Sequence, residues 1–204
     1  MSQREAFELA YDVPRGTMEK LDIYLSLLID WQTRMNLVAS STLDVVWERH
    51  FADSAQLSKL VTTPVERWLD LGSGAGFPAL VLALFCPGTF HLVEATAKKC
   101  RFLSEAVERL DLEARVVIHN RRIEALPAVA ADIITARACA SLGQLFAWGL
   151  PHGRGARWLL LKGRSALDEV AAARAMFTFD CSLIASRTDP EARIIDAKRV
   201  RRRQ

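Results

Sequence analysis

The chain has 204 residues, half of them apolar, and 27 Lys and Arg against 24 Asp and Glu give a formal net charge of +3. That length supports one domain, or a domain with an extension, around a substantial core. No segment is apolar for long enough to cross a bilayer, and Met1-Ser-Gln-Arg-Glu lacks an apolar signal region, so a cytoplasmic location is expected.

Residues 1 to about 12 read as a loosely ordered or helical lead-in. From Met18, the residues Leu21, Tyr24, Leu25, Leu28 and Trp31 recur at helical spacing, which predicts a helix ending near Asn36. A second helix from Leu43 carries Val46, Trp47, His50 and Phe51 on one side, after a stretch, Ser41 to Asp44, with the form of a capping box. A third, over 53–61, runs into the breaker Thr62-Thr-Pro64. Residues 1–64 are therefore expected to be a helical extension packed on residues 65–204.

From Val65 the pattern alternates. Strands are expected over 68–71, 90–94, 115–119, 133–135 and 158–161, with helices over 78–85, 98–110, 142–150 and 166–175. Two last strands, 182–186 and 192–196, have no helix between them and can only form a hairpin. Alternation of this kind implies an α/β fold whose mainly parallel sheet is covered on both faces. Seven strands closing in an antiparallel hairpin are the class I methyltransferase pattern, a Rossmann-like sheet. The end of the chain is basic: Arg193, Lys198, Arg199, Arg201, Arg202 and Arg203 stand against one acid, Asp196. This reads as a basic C-terminal tail, either a solvated end or a holder of phosphates.

The organising stretch runs from Arg67 to Pro78, a short buried strand followed by Gly72, Gly74 and Gly76 at alternate positions. Glycine there lets the backbone turn sharply and a ligand approach closely, and the following helix start favours anions. The third glycine comes one place early for a dinucleotide fingerprint, with Phe77 in its place. Asp70 before the turn suits a cationic ligand, such as the amino group of S-adenosylmethionine. Glu94, ending the next strand, suits the two hydroxyls of a ribose. Together they favour S-adenosylmethionine over NAD as cofactor.

Four cysteines (Cys86, Cys100, Cys139, Cys181) are scattered without metal-ligand spacing, and no two of the four histidines stand at i, i+4. Buried reduced thiols and no metal are expected, with Cys139 a packed residue at a helix start.

These residues, taken in order, resemble one family, the bacterial small-subunit ribosomal RNA methyltransferases also called glucose-inhibited division protein B. The likeness covers about residues 24–163. It includes Trp31, Asn36-Leu37, Arg49-His50, Asp53-Ser54, the 72–78 turn, Lys98-Lys99, Phe102-Leu103, Arg122, Glu124, Arg137-Ala138 and Lys162-Gly163. It departs from the family at Ala79, where another glycine is usual, at Glu94, often Asp, and at Ala136, usually Ser. The resemblance implies methylation of N7 of a guanine in 16S ribosomal RNA, with the RNA or the small ribosomal subunit as partner and a monomeric enzyme. It also implies that the backbone of Ile123 and Glu124 holds an adenine against the Ile123 side chain.

Guanine N7 has an in-plane lone pair and no proton to lose, so methyl transfer by in-line displacement needs alignment and not a general base. The stretch Thr135-Ala-Arg137 accords with that, since no Asn-Pro-Pro-aromatic or Pro-Cys sequence follows the strand. Arg137 is the candidate for substrate positioning, against cofactor or against guanine O6. Cofactor contacts are assigned to Asp70, Gly72, Gly74, Phe77, Glu94, Ile123, Glu124 and Arg137. RNA contacts are assigned to Asn36, Arg49, His50, Lys98, Lys99, Arg122, Lys162 and Arg164, a basic rim with Arg101 and Arg121 beside it. Two other classes remain open: a methyltransferase of the same fold acting on a small molecule or protein, and a non-catalytic RNA-binding module.

Overall fold

The computed structural model describes residues 1–137 and 139–204. Seven strands form one sheet: β1 (Arg67–Leu71), β2 (Thr89–Glu94), β3 (Val116–Asn120), β4 (Ile133–Arg137), β5 (Arg157–Lys162), β6 (Phe177–Ala185) and β7 (Arg193–Arg202). Their order is β3-β2-β1-β4-β5-β7-β6. The first five are parallel, and β7 runs antiparallel to both β5 and β6. The strand order reverses between β1 and β4, which leaves a crevice at their carboxyl ends.

Burial on both faces follows from the side-chain alternation of the strands. Trp68, Ile133 and Leu159 point into one apolar cluster, and their neighbours Leu69, Ile134 and Leu160 into the other. The second cluster is closed by α6 (Leu142–Gly149) and α7 (Ala166–Ala173), with Phe146 edge-on to Trp158 and Phe177. The first takes α4 (Ala79–Phe85), α5 (Ala97–Arg109) and the N-terminal helices α1 (Gln3–Tyr11) and α2 (Arg15–Gln32).

Helix α1 is capped by a reciprocal pair, Ser2 and Glu5, and α2 ends at Gln32, short of the end expected near Asn36. The two helices expected over 43–61 are one continuous winding of changing pitch. A 3₁₀ stretch (Ser40–Val45) leads to a π-helical turn (Trp47–Ala52), one turn of α3 (Asp53–Ala55) and a second 3₁₀ stretch (Gln56–Leu60). The wide π turn lets Trp47, His50 and Phe51 all face inward while Arg49 stays exposed.

The basic end is not a tail. It is the second half of β7, paired with β6 as far as Arg202, whereas only residues 193–197 also pair with β5. An irregularity opposite Thr178 and Asp180 puts one extra residue in β7, and Arg199 takes a left-handed backbone (φ 53°) there.

The N-terminal helices and the sheet share aromatic packing. Phe102 of α5 is fully buried against Tyr24 (6.4 Å between ring centres) and Trp31 (5.8 Å) of α2. Replacing Phe102 with Ala is expected to cost about 3–5 kcal/mol. Because helices and sheet meet there, denaturation followed by Trp fluorescence and by far-UV circular dichroism should give one coincident, lowered transition. Separate transitions would mean that the helices are an independent unit.

Candidate active site

The crevice at the carboxyl ends of β1, β4 and β5 opens into a cleft of about 580 Å³. Its floor is the glycine turn. Gly72, Gly74 and Gly76 all have positive φ (69°, 56° and 85°), which explains their alternate spacing. A Cβ on Gly76 would meet Leu80 at 2.5 Å and the Tyr24 hydroxyl at 2.7 Å, whereas one on Gly74 would meet little but the Gly72 carbonyl, at 3.8 Å. Gly76 is thus dictated by packing, and Gly74 leaves backbone open to a ligand. Three contacts fix the turn: Ser73 N–H donates to the Val93 carbonyl (3.0 Å), Gly74 N–H to Glu94 Oε2 (3.0 Å), and the Tyr24 hydroxyl to the Ala75 carbonyl.

Asp70 lies directly beneath, 2 % exposed. Its Oδ1 accepts from the Thr135 hydroxyl at 2.7 Å, and its Oδ2 has no partner. Burial raises its pKa to about 6, opposed by the Thr135 and Ser73 hydrogen bonds and the Arg137 charge. A buried acceptor left without a donor is costly. A cationic amino group at the cleft floor would supply both the donor and the charge. Glu94 spends one bond per oxygen, to the N–H groups of Thr96 (2.7 Å) and Gly74, and each oxygen keeps a further acceptor site. Asp70, the open turn and Glu94 therefore fit the ammonium and ribose ends of S-adenosylmethionine.

The opposite wall comes from the π turn. Arg137, at the end of β4, stacks over Phe77 (4.9 Å) and donates through one Nη to the Arg49 carbonyl (3.1 Å) and His50 Nδ1 (2.8 Å), with Asp53 at 3.7 Å. Guanidinium only donates, so His50 Nδ1 must accept and its proton resides on Nε2. That proton points to Thr42 Oγ1 (2.7 Å), whose hydroxyl passes on to the Ala39 carbonyl (2.6 Å). Burial, then the charges of Arg137 and Arg49, lower the His50 pKa to about 3. The imidazole is neutral and stacked on Phe77 (5.1 Å).

A family model described as rRNA small subunit methyltransferase G matches residues 17–189. The chain belongs to that family. Among its curated relatives, a ribosomal RNA small subunit methyltransferase G from Rhodospirillum rubrum is 46% identical over 192 residues, 94% of each chain. Another, from Methylorubrum extorquens strain PA1, is 48% identical over 193 residues, 91% of this chain and 90% of that one. Of solved structures, a cofactor-bound protein from MTB superposes with a TM-score of 0.61 at 15% identity, covering 89% of this chain and 90% of that one. A SAM-dependent methyltransferase from Aquifex aeolicus gives 0.59 at 13%, covering 78% and 93%. These distant likenesses concern the fold, a doubly wound sheet of S-adenosylmethionine-dependent methyltransferases.

In this family member Gly72, Gly74, Phe77, Glu94, Arg137, Arg49, His50, Lys99 and Lys162 line one cleft, with Asp70 under its floor. Several expected contacts stand elsewhere or act differently. Ile123 is turned into the apolar cluster with Leu126, and Glu124 is exposed outside the cleft lining. Asn36, Arg122 and Arg164 are exposed outside it too, and the Lys98 ammonium is bonded to the Arg34 carbonyl (2.7 Å). Lys162 is no rim cation: it is buried, paired with Glu169 (2.7 Å) and bonded to the Ala140 carbonyl. His50 is buried and uncharged, so it offers phosphate no cation, and Arg49 is paired with Asp189 (2.8 Å).

Cys139 precedes α6 and is exposed on the cleft, not packed at a helix start. Its thiol donates to the Leu71 carbonyl (3.2 Å), and burial of the sulfur followed by the Asp70 charge raises its pKa to about 11. Ala138, beside Arg137, lies outside the described residues. Ala79 and Ala136, where family residues differ, are buried in the two apolar clusters and do not line the cleft. Thr42, Asp53, Thr135 and Asp189 complete the site, and sequence reasoning gave them no such role. Asp53, Thr135 and Asp189 meet partners 65 or more residues away, where no local spacing could signal them, and Thr42 meets His50 through the changing pitch of one helical run.

Between pH 6.5 and 3 the unfolded chain binds a proton that folded His50 refuses. His50 therefore contributes its full share of stability above pH 6.5 and loses it as the pH falls. Asp70 acts in the opposite sense between pH 6 and 3.8. Imidazole nitrogen shifts of His50 followed by NMR should stay those of a neutral Nε2–H tautomer from pH 8 to about 4.5. A midpoint near 6.5 would contradict the buried arrangement.

Proposed function

We propose that the chain methylates N7 of a guanine in 16S ribosomal RNA, by in-line transfer without a general base. Membership of the rRNA small subunit methyltransferase G family supports the substrate class. The observation that carries the finer reading is that, apart from Asp70, whose unpartnered oxygen the donor's ammonium would occupy, the acids and bases described around the cleft are already engaged. Asp53 accepts from Gln56 and Thr188 and faces Arg137, Asp189 pairs with Arg49, Glu94 takes two backbone N–H groups, and both His50 nitrogens are occupied. The Cys139 thiol keeps its proton at neutral pH. An exocyclic amine or a hydroxyl would have to give up a proton on methylation, and N7 does not.

S-adenosylmethionine, when bound, supplies a methyl group activated by its sulfonium. Asp70 would hold the ammonium, Glu94 the ribose hydroxyls, and the open backbone at Gly74 would allow the close approach between them. Arg137 uses one of its two Nη groups internally, and its remaining donors are free to grip guanine O6 or a phosphate while N7 stays open. Phe77 beneath it keeps the guanidinium planar to the wall and excludes water from that side. The RNA approaches over Arg49 and Lys99 at the rim of the cleft.

Digestion of 16S rRNA treated with the enzyme and labelled donor, followed by mass spectrometry, should yield 7-methylguanosine. A label on N2, on a ribose or on no nucleoside would overturn the assignment. In the same assay Arg137→Lys, which keeps charge and loses the fork, should lower kcat about 10- to 100-fold with donor affinity unchanged.

Asp70→Asn should weaken donor binding about 10- to 100-fold by calorimetry. In the native protein affinity should be flat above pH 6 and fall as Asp70 takes up its proton, by at most about tenfold per pH unit. An affinity indifferent to both changes would remove Asp70 from the ammonium.

A further inference from the structure

The far end of β7 carries a second concentration of charge that the cleft does not use. Two shallow grooves meet there. One is lined by Arg174, Asp180, Arg199, Arg201 and Arg203, and the other by Arg154, Arg199, Arg201 and Arg202. Asp180 is the single carboxylate in either lining, and it pairs with Arg199. Arg154, Arg174, Lys198, Arg201, Arg202 and Arg203 are exposed and make no ion pair among the described residues.

The backbone presents these cations deliberately. A regular strand would turn alternate residues of 198–202 inward. The extra residue at left-handed Arg199 breaks that alternation, so that Lys198, Arg199, Arg201 and Arg202 all face solvent and Val200 alone is buried. The strand end is held firmly, since Arg203 N–H donates to the Met176 carbonyl (2.9 Å). Arg174 is steadied over the Phe179 ring (4.9 Å).

The patch is remote from the cleft. Arg193 lines the cleft and sits opposite Lys162, while Arg202 sits opposite Phe177 at the other end of β7. Nine residue steps at about 3.3 Å separate them by roughly 30 Å. We propose that this end of the sheet is a second RNA-binding surface, which grips backbone phosphates of ribosomal RNA far from the methylated nucleotide. The proposal rests on ribosomal RNA being the substrate, since only a partner of that size can reach both ends of β7. Arginine forks match phosphate geometry. With Val200 turned inward, residues 198–203 offer no apolar face of the kind that inserts into a membrane.

The test is equilibrium binding of a 16S rRNA transcript across a salt series, with methyl transfer measured on the same transcript. Arg201→Gln/Arg202→Gln/Arg203→Gln should lower affinity tenfold or more at moderate salt. It should also reduce the log–log salt slope by about two to three, near 0.9 per lost phosphate contact. Donor affinity and kcat at saturating RNA should stay within twofold. Asp180→Asn, which frees Arg199, should act in the opposite direction, with severalfold tighter binding and a slope steeper by about one; misfolding cannot produce that gain. A control, Arg15→Gln/Lys59→Gln/Arg109→Gln, removes equal charge elsewhere on the surface.

An unchanged slope in the triple variant, or an equal loss in the control, would overturn the surface while leaving the substrate intact. A wild-type protein that neither binds nor methylates the transcript would overturn the substrate reading, and the surface with it.

Discussion

A turn built from three left-handed glycines leaves its backbone groups pointing in directions no regular element can satisfy, and everything at this site depends on how they are taken up. The Val93 carbonyl and Glu94 carboxylate receive N–H groups from the β2 side, and the Tyr24 hydroxyl reaches the Ala75 carbonyl from α2. The turn is therefore held by the end of β2 and by a helix from a distant, earlier part of the sequence. This explains why the N-terminal helices share one apolar cluster with the sheet: Tyr24 must be driven to full burial beside Phe77, Phe51 and Phe102 for its hydroxyl to arrive. Packing of the aromatic rings and shape of the turn are one constraint.

The same economy governs charge. Asp70 is placed where burial opposes its ionisation and an unmatched oxygen awaits a donor, so the floor is poised for a cation. On the other wall, Arg137 satisfies His50 and the Arg49 carbonyl, and Asp53 and Phe77 in turn support Arg137. A neutral imidazole and a protonated thiol leave that wall free of groups competing for a proton. The cleft is thus asymmetric, a carboxylate beneath its floor and a guanidinium on its wall.

Much of the fold was legible because each strand of the parallel sheet reads as a short apolar run closed by turn residues. The glycine turn, with Asp70 and Glu94 beside it, was legible for the same reason: these positions follow from spacing within one βαβ unit. Longer-range features were not. The changing pitch over 40–60 depends on tertiary packing of Trp47, His50 and Phe51, which periodicity alone cannot report. The second half of β7 was hidden because its cations, combined with the bulge at Arg199, erase the alternation that marks a strand. Lys162 and His50 were misread as surface cations because a single sequence shows residue type but not partners. Glu169 buries the first, and Arg137 with Thr42 buries the second.

The hairpin between β6 and β7 bonds repeatedly to the helical run near the start of the chain. Arg49 meets Asp189, Gln56 accepts from the Arg187 N–H, and Thr188 donates to Asp53. Ser186, Asp189, Ala192 and Arg193 then form part of the cleft lining. The polypeptide thus encircles its own cleft, with the hairpin buckled to the early helical run. A cleft closed in this way has no complete wall until residues 40–60 and 186–193 have met, whatever the state of the glycine turn.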